Sequence, residues 1–311
     1  MDLETLTYDT GDRVARITLN RPDRGKGIVP RMPVEIAACV ERANLDPAVH
    51  VISLAGAGSG FCGGHDLVAS AEGEMSELGG AEAPPGSPLD PATIAANHAP
   101  NTNWDPVTDY QFMSRNVRGF MSLFHSEKPV LCKVHGYCVA GGTDMALCSD
   151  LLVIGADAKI GYPPARVWGS PTTALWAARL GPMRAKRLLL TGDSLSGEQA
   201  AEWGLATEAV PPEQLDERFE ALVERVARLP INQLVMMKML VNQSLSRRAC
   251  TRRSCSAPSS TASPVTPRRA TASSAAPPSP ASRRRCGSAT SRSATTAVRP
   301  PDGASDRVRP R

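Results

Sequence analysis

Alternating apolar and polar residues predict β-strands in the first part of the chain. Residues Val14–Leu19 alternate in this way until Pro22 breaks the pattern. Apolar residues at helical spacing over residues 34–43 predict a helix, which leads into a second strand over residues 50–55. A glycine-rich turn from Gly56 to Gly64 follows that strand. The opening segment is therefore predicted to run strand, helix, strand.

The same alternation resumes after a long interruption. Residues 70–108 are rich in glycine, proline, asparagine and aspartate, which predicts an irregular excursion of the kind that is mobile or functional. The elements predicted beyond it are a helix at about 109–126, a strand over 129–134, a glycine turn over 136–142, a helix through 145–148 and a strand over 151–154. Helices that connect successive strands indicate an α/β fold with largely parallel strands.

Beyond residue 185 the pattern is helical throughout. Four segments are predicted to be helical: residues 185–190, 196–203, 213–229 and 232–242. We therefore divide the body of the chain into an α/β core over residues 1–185 and a helical region over residues 186–243. The methionines of the last segment are typical of core filling rather than of a cofactor site.

The composition changes abruptly after residue 243. Ser, Ala, Arg, Pro and Thr account for 57 of the last 68 residues, and aromatic residues are absent from them. The formal charge of +4 divides into +12 for residues 244–311, from 14 Arg and 2 Asp, and −8 for residues 1–243. Such a segment buries too little apolar surface to offset its ordering entropy, so we expect disorder over residues 244–311.

Two interpretations of this tail remain open. A genuine basic tail would contact nucleic acid or an acidic membrane surface. The interpretation that we favour is a shifted reading frame, in which no nucleic-acid partner is expected. The codons of all five abundant residue types have G or C in the middle position, as expected when the third positions of a GC-rich gene are read as second positions. Failure to find an amphipathic helical sequence in the other frames from residue 244 onward would exclude the frameshift.

The rest of the composition indicates a cytoplasmic protein without a membrane segment. The amino-terminal residues are acidic and lack an apolar run, so no secretory signal is expected. No stretch reaches the length of a membrane span. Five of the eight cysteines lie in the body, and they lack the spacing of metal ligands: Cys39, Cys62, Cys132, Cys138 and Cys148. We expect them to be reduced and buried rather than to form disulfides or a zinc site.

Two glycine-bearing turns carry the functional candidates. The first spans Gly60–Leu67 directly after a strand, and the second spans His135–Ala146 between a strand and a helix. Glycine permits unusual backbone angles and lets the chain approach a ligand closely. Each turn alone is a weak signal, because such turns are common and most of them are structural.

In their order and surroundings, these turns resemble those of the crotonase (enoyl-CoA hydratase/isomerase) superfamily. Five matches follow one another along residues 3–243: Asn20–Pro22, Phe61–Leu67, Ala140–Leu151, Lys159–Pro164 and the stretch from Leu189 to Leu205. The resemblance implies an α/β spiral of ββα turns with a C-terminal helical region, assembled as trimers or dimers of trimers. It also implies an acyl-CoA or enoyl-CoA substrate, with coenzyme A as part of the substrate and with neither a metal nor a redox cofactor.

The resemblance also implies roles for individual residues. The backbone N–H groups of His65 and Gly141 would hold the thioester oxygen while negative charge develops on it, and Asp144 would move the proton. The hydratases that define the type use two glutamates, and here those positions hold Asp144 and Pro164. Two-glutamate hydration is therefore in question. The implied substrate-binding positions are Arg24, Gly63, Gly64, Asp66, Leu67, Val68, Gly142, Pro164 and Trp168.

Other polar residues compete for a part in proton transfer. Candidate substitutes for the missing glutamate are His98, Asp105, Asp109, Tyr110, Arg115 and Tyr162. Each is also explained as a loop or helix-surface residue. The imidazole of His65 titrates in the right range for a base, but a main-chain role is favoured there. Asp66 is expected to support the turn, and His135 to be a buried structural histidine.

These observations predict a hydratase/isomerase-type enzyme that acts through a stabilised enolate. A thioester hydrolase, isomerase or decarboxylase of the same fold is an alternative, and so is a non-catalytic acyl-CoA-binding protein. A homotrimer or hexamer is expected, weakened if the tail is out of frame.

Overall fold

A computed structural model describes residues 2–66, 84–99, 102–166 and 169–247 of the 311-residue chain. All of them belong to the first of the two units into which the chain divides, residues 1–266. The candidates Leu67, Val68 and Trp168 lie outside the described residues, as do the side chain of His98 and residues 248–311 of the tail. What the sequence predicts for those positions stays a prediction. The disorder predicted from residue 244 onward is wrong for residues 244–247, which belong to the last helix.

Six strands form the larger of two sheets. In spatial order they are β1 (Leu6–Gly11), β2 (Val14–Leu19), β3 (Val51–Gly56), β4 (Val130–Val134), β6 (Leu151–Gly155) and β9 (Glu208–Val210). The first two strands pair antiparallel as a hairpin, and every other neighbouring pair is parallel. The largely parallel α/β architecture predicted from the sequence is confirmed.

A second, smaller sheet runs beside the functional turns. It contains β5 (Tyr137–Val139), β7 (Lys159–Gly161) and β8 (Ser194–Ser196). Two isolated parallel bridges, Ile28 with His65 and Cys62 with Cys138, involve the two glycine turns. Because β4 and β6 are each followed directly by a strand of the small sheet, successive passes of the chain contribute one strand to each sheet.

Helices cover both faces of the large sheet. They are α1 (Arg31–Leu45), α2 (Pro91–His98), α3 (Pro106–His125), α4 (Gly141–Ala146), α5 (Leu175–Thr191), α6 (Gly197–Glu202), α7 (Leu215–Ala227) and α8 (Ile231–Arg247). On one face, a row with one residue from each of five strands packs against α7: Val14, Val51, Leu131, Val153 and Val210. On the other face, α1 and α3 bury the larger core. None of the described helices is long and apolar enough to cross a membrane.

The excursion predicted to be irregular contains helical structure. Helix α2 lies within residues 70–108, and α3 begins at Pro106 rather than near residue 109. Both helices start with an Asp-Pro pair, in which Asp90 accepts a hydrogen bond from the N–H of Ala92 and Asp105 accepts one from that of Val107. An aspartate cap followed by proline is a helix start signal. The prediction was therefore wrong for residues 91–98 and 106–108, where composition concealed this signal.

Two buried lysines, Lys128 and Lys238, and the half-buried Arg179 donate hydrogen bonds to carbonyls at or near the carboxyl ends of helices. Lys128 donates to the carbonyls of Ala43 and Asp46 at the end of α1, at 2.6 and 2.5 Å. Arg179 donates to the carbonyls of Leu147 and Ser149, just after α4. The last carbonyls of a helix have no hydrogen-bond partner within it and carry partial negative charge. These cations donate hydrogen bonds to such carbonyls, which would otherwise be buried without a donor.

The third of these cations belongs to α8. Lys238 donates to the carbonyl of Leu123 near the end of α3 and to that of Lys128, and its Nζ lies 2.8 Å from Oδ2 of Asp150. Asn242 donates to the carbonyl of Phe124 at 3.0 Å. The outward side of this helix is apolar, with Met236, Met237, Met239, Leu240 and Val241 exposed. Helix α8 thus places polar groups against the body and apolar groups toward its outer surface, which contradicts the core-filling role predicted for its methionines.

Candidate active site

The two glycine turns converge beside the small sheet. The N–H of Cys62 donates to the carbonyl of Tyr137 at 3.2 Å, and the N–H of Val139 donates back to the carbonyl of Cys62 at 3.0 Å. A Cβ atom at Gly64, whose φ is +98°, would lie 2.6 Å from the Cβ of Ala140. The turns therefore touch at a point where a side chain larger than hydrogen does not fit.

Two backbone N–H groups at this junction have no acceptor within the described residues. The bridge to Ile28 engages the carbonyl of Gly64 and the N–H of Asp66, so the N–H of His65 points away from that pairing. Gly141 is the first residue of α4, where an N–H has no acceptor within the helix. None of the described residues accepts a hydrogen bond from either group. A pair of unpartnered donors suits an oxygen on which negative charge develops.

Backbone strain accompanies the second donor. Ala140 has φ 53° and ψ −130°, angles that an L-residue with a Cβ rarely adopts. Its N–H is bonded to the carbonyl of Gly161, and its own carbonyl accepts the N–H and hydroxyl of Thr143. These bonds on both sides hold the unfavourable conformation. Strain of about 1–3 kcal/mol that the surrounding structure enforces is characteristic of functional sites.

The imidazole of His65 packs against this turn. Its Cδ2 and Nε2 lie 3.1 and 3.2 Å from the point where a Gly141 Cβ would stand. The residue is half-buried, and loss of hydration on burial lowers the pKa of His65 to about 4. A neutral ring at pH 7 brings no positive charge to the oxygen, which agrees with a main-chain role for this residue.

Asp144 lies one helical turn beyond Gly141 and is buried, with 1% of its surface exposed. Its Oδ2 accepts the hydroxyl of Thr172 at 2.8 Å, and its Oδ1 accepts that of Thr173 at 3.2 Å. Burial raises the pKa of Asp144 to about 6, although the hydrogen bonds from both threonines act in the opposite direction. A carboxylate that titrates near neutrality can both accept and return a proton.

This raised pKa predicts a specific loss of stability with pH. Between its ordinary value of 3.8 and about 6, Asp144 is ionised in the unfolded chain but protonated in the folded one, so raising the pH favours unfolding. The loss amounts to roughly 3 kcal/mol and is complete somewhat above pH 6. Urea denaturation from pH 4 to 7.5 should show this decline relative to Asp144→Asn. A difference between the two proteins that stays constant with pH would contradict the assignment.

The position expected for a second acid contains none. Pro164 belongs to the short 3-10 helix Pro163–Arg166 and is half-buried. Tyr162, two residues before it, has a pKa raised by burial and further by the charge of nearby Asp144. Its O–H donates to the carbonyl of Ser170 at 2.8 Å. Tyr162 thus contacts the segment that leads to Thr172 and Thr173, and its pKa responds to the charge of Asp144.

The remaining substitutes have other structural surroundings. Asp105 caps α3, and Arg115 donates to the carbonyl of Gln111 on the exposed side of the same helix. Tyr110 is exposed, whereas Asp109 is buried in the first turn of α3. Among the described residues, no hydrogen bond or ion pair joins Asp105, Tyr110 or Arg115 to Asp144.

An ion pair joins Asp66 to the first loop. Oδ2 of Asp66 lies 3.0 Å from Nη1 of Arg21, and both side chains are largely buried. Arg24 is exposed at the end of the 3-10 helix Pro22–Arg24, and the exposed Gly63 donates its N–H to the carbonyl of Gly25. The predicted supporting role of Asp66 agrees with this ion pair.

Sequence reasoning missed several residues of the site. Arg21 lies within a matched motif, so its position was available as a signal. Lys26 is fully buried, and its Nζ lies 5.3 Å from the centroid of the Tyr137 ring. Thr172 and Thr173 bind Asp144 across 28 and 29 residues of sequence. A local sequence pattern does not predict a contact over that separation. His135 was predicted to be a satisfied buried histidine, but it is only half-buried. Its Nε2 lies 2.7 Å from the carbonyl oxygen of Gly58, and its Nδ1 has no partner among the described residues.

The contact between the two turns can be tested at Gly64. Gly64→Ala would push its Cβ against that of Ala140, 2.6 Å away, and we expect turnover to fall on the order of 10- to 100-fold because the two donors separate. Gly204→Ala is the matched control, since Gly204 also has a positive φ (+77°) but open space around it. Equal loss of activity in the two variants would show that backbone strain, not the contact, is responsible.

Comparison with known proteins agrees with this geometry. A sequence model described as enoyl-CoA hydratase/isomerase matches residues 101–262, about half of the chain. The chain belongs to the enoyl-CoA hydratase/isomerase family. The crystal structure of an enoyl-CoA hydratase from Mycobacterium smegmatis is 54% identical, with a TM-score of 0.75 over 82% of each chain.

More distant members of the enoyl-CoA hydratase/isomerase family are similar over most of the chain. A probable enoyl-CoA hydratase from Mycobacterium thermoresistibile is 27% identical, with a TM-score of 0.66 over 80% of this chain and 92% of its own. The 1,2-epoxyphenylacetyl-CoA isomerase of Escherichia coli is 29% identical over 239 residues, which are 74% of this chain and 79% of that protein. The resemblance and the crotonase fold predicted from the sequence are confirmed, and the activity is of the enoyl-CoA hydratase/isomerase type.

Proposed function

We propose that the protein binds an enoyl-CoA thioester, whose carbonyl oxygen accepts hydrogen bonds from the N–H groups of His65 and Gly141. The observation that carries this proposal is a buried carboxylate, Asp144, on the same short helix that begins with one of the two unpartnered donors. The donors stabilise negative charge on the oxygen, and the carboxylate moves a proton at carbon. Coenzyme A enters as part of the substrate, and this route needs no metal or redox cofactor.

Hydration through a single carboxylate is the first candidate reaction. Asp144 accepts a proton from water while the water oxygen bonds to the β-carbon, and the double-bond electrons move into the enolate. The enolate then takes the same proton from Asp144 at the α-carbon. Water is thereby added in full, with its hydroxyl on one carbon and its hydrogen on the other.

Double-bond isomerisation is a second candidate, favoured by Pro164 at the position of the second acid. Asp144 would remove a proton from the α-carbon of a 3-enoyl thioester and return it to the γ-carbon. This reaction needs one base and no water. The same donors would hold the intermediate enolate.

Two absorbance assays separate these reactions. Hydration consumes the conjugated absorbance of crotonyl-CoA, whereas isomerisation of a 3-enoyl-CoA creates it. Loss of signal in the first assay supports hydration, and a gain in the second alone supports isomerisation. Binding of CoA thioesters with no turnover in either would exclude both and leave hydrolysis, decarboxylation or a non-catalytic binder. Deletion of residues 244–311 without loss of binding would exclude a role for the tail.

We also propose that the protein is a cytoplasmic enzyme of fatty-acid metabolism and that it self-associates as a trimer or hexamer. The five body cysteines are free and buried, which supports a reducing compartment. The apolar outer side of α8 supports association, since apolar patches of this kind mark protein–protein contacts. Light scattering tests it: a monomer at micromolar concentration would exclude the assembly, and a mixture of states would indicate a weakened one.

A further inference from the structure

Two neighbouring threonines hold the carboxylate of Asp144 from across the site. Thr172 donates both its hydroxyl, at 2.8 Å, and its backbone N–H, at 3.4 Å, to Oδ2. Thr173 donates its hydroxyl to Oδ1 at 3.2 Å. Both threonines are buried, and their β-branched side chains have restricted χ1 angles. The carboxylate is therefore held in one orientation by groups that cannot easily move.

The loop that carries these threonines is itself fixed. The O–H of Tyr162 donates to the carbonyl of Ser170, and the N–H of Gly169 donates to the carbonyl of Pro164 at 2.9 Å. Residues 169–174 are thus tied to the segment around the position where a second carboxylate is expected. In this chain that segment supports the loop that binds Asp144 instead of supplying another acid.

The pattern of donors leaves the two oxygens of Asp144 unequal. A carboxylate has four acceptor positions, two on each oxygen. Oδ2 receives the hydroxyl and the N–H of Thr172, while Oδ1 receives the hydroxyl of Thr173. The N–H of Thr173 also favours the charged carboxylate, but the bonds of normal hydrogen-bond geometry among the described residues are these three. By that geometry, the acceptor position that remains is on Oδ1.

We propose that Thr172 is a positioning residue that occupies Oδ2 and thereby makes Oδ1 the oxygen of Asp144 that exchanges the proton. This inference rests on the proposed function. As a proton moves to Oδ1, the electron pair of its former bond stays with the substrate or the water oxygen. The proton later returns from Oδ1 to carbon. The bonds from Thr172 persist throughout, because Oδ2 of the protonated carboxyl still accepts.

Within the part of the chain that the structure describes, three other titratable groups interact with the charge of Asp144. The hydroxyl of Tyr162 is donated to Ser170, and the thiol of Cys148 lies 3.0 Å from the backbone carbonyl oxygen of Asp144. The thiol of Cys138 is fully buried, and burial holds its pKa well above the ordinary value. Among the described residues, hydrogen bonds to the carboxylate itself come from the two threonines. Removing the hydroxyl of Thr172 should therefore alter the protonation of Asp144 directly.

Infrared titration of the carboxyl band of Asp144, assigned by its disappearance in Asp144→Asn, tests the proposal without reference to activity. Thr172→Val removes a hydrogen bond to the charged form, and we expect the midpoint to rise by about one to two pH units. Thr172→Ser should keep the wild-type midpoint. Thr172→Ala removes the same hydroxyl with a smaller side chain, so it gives the same test if the valine variant does not fold. Thr191→Val, at an exposed threonine far from Asp144 in sequence, is the control.

Activity supplies the second readout. The kcat/KM of Thr172→Val or Thr172→Ala should fall by about tenfold or more, with its pH midpoint shifted upward and with Thr172→Ser restoring the rate. A wild-type midpoint and rate in both hydroxyl-free variants would overturn the proposal while leaving the proposed function intact. If the wild-type protein turns over no enoyl thioester, the proposed function fails, and with it the proton-exchange role. The infrared midpoints then still decide whether Thr172 positions the carboxylate.

Discussion

Asp144→Asn is expected to lower kcat/KM for the active enoyl-CoA substrate by about 10²- to 10⁴-fold, the range that general acid–base catalysis contributes. The amide has nearly the same shape but cannot take up a proton. Substrate affinity should change little, because the thioester oxygen is held by backbone groups. Steady-state rates and calorimetric binding of the thioester measure the two effects separately.

The direction in which kcat/KM changes with pH shows whether Asp144 acts as a base. If ionised Asp144 is the base, kcat/KM of the wild type rises as the pH passes through about 6, the pKa of this carboxyl, and then levels off. Asp193→Asn, at a partly exposed aspartate paired with Arg166 and Arg187, is the matched control and should retain its activity. A variant of Asp144 that keeps most of the wild-type rate would remove this residue from the mechanism.

Lys238→Met is expected to lower the free energy of unfolding by about 3 kcal/mol, the lower end of the range for breaking a buried ion pair. The substitution leaves Asp150 without its ion-pair partner and the carbonyl of Leu123 without the ammonium donor. The carbonyl of Lys128 keeps a hydrogen bond from the hydroxyl of Ser126. The lower end applies because the side chain of Asp150 is 22% exposed. Urea denaturation at pH 7 measures the loss.

Lys186→Met is the matched control for this prediction, because Lys186 is exposed on α5. Exchange of an exposed lysine should change stability by less than about 0.5 kcal/mol. If Lys238→Met behaves like Lys186→Met, the buried network does not secure α8. The double variant with Asp150→Asn should recover part of the loss, since it removes the stranded charge.

Local pattern was sufficient for several long elements of the fold, but α5 was predicted only over residues 185–190, because Gly181 and Pro182 interrupt it. Each of those several elements buries one side, so its apolar residues recur at the period of a strand or a helix. The alternation over Val14–Leu19 and the helical spacing in α1, α3 and α7 arise in this way. Strands β5, β7, β8 and β9 have three residues each, which is too few for a period. They form by pairing with neighbouring strands, so a local sequence pattern could not locate them.

The parts of the site that are formed by backbone groups were predictable from the sequence. Glycines at positions 64, 141 and 142 indicated close approach of two turns, and the family resemblance assigned them a common purpose. The threonine pair was not predictable, because a contact between side chains 28 residues apart depends on the completed loop. The same limit explains the ion pair of Asp66 with Arg21. Leu67, Val68 and Trp168 stay predictions, since they lie outside the described residues.

The placement of the last capping groups has a consequence for synthesis on the ribosome. The carbonyl of Phe124 accepts a hydrogen bond from the side-chain amide of Asn242, which comes 118 residues later in the chain. At roughly 5–20 residues per second, translation of that interval takes roughly 6–24 s. During this time the carboxyl end of α3 is without its final partners and open to chaperones and proteases. A nascent chain halted before residue 238 is therefore expected to remain protease-sensitive, even though every strand of both sheets has already been made.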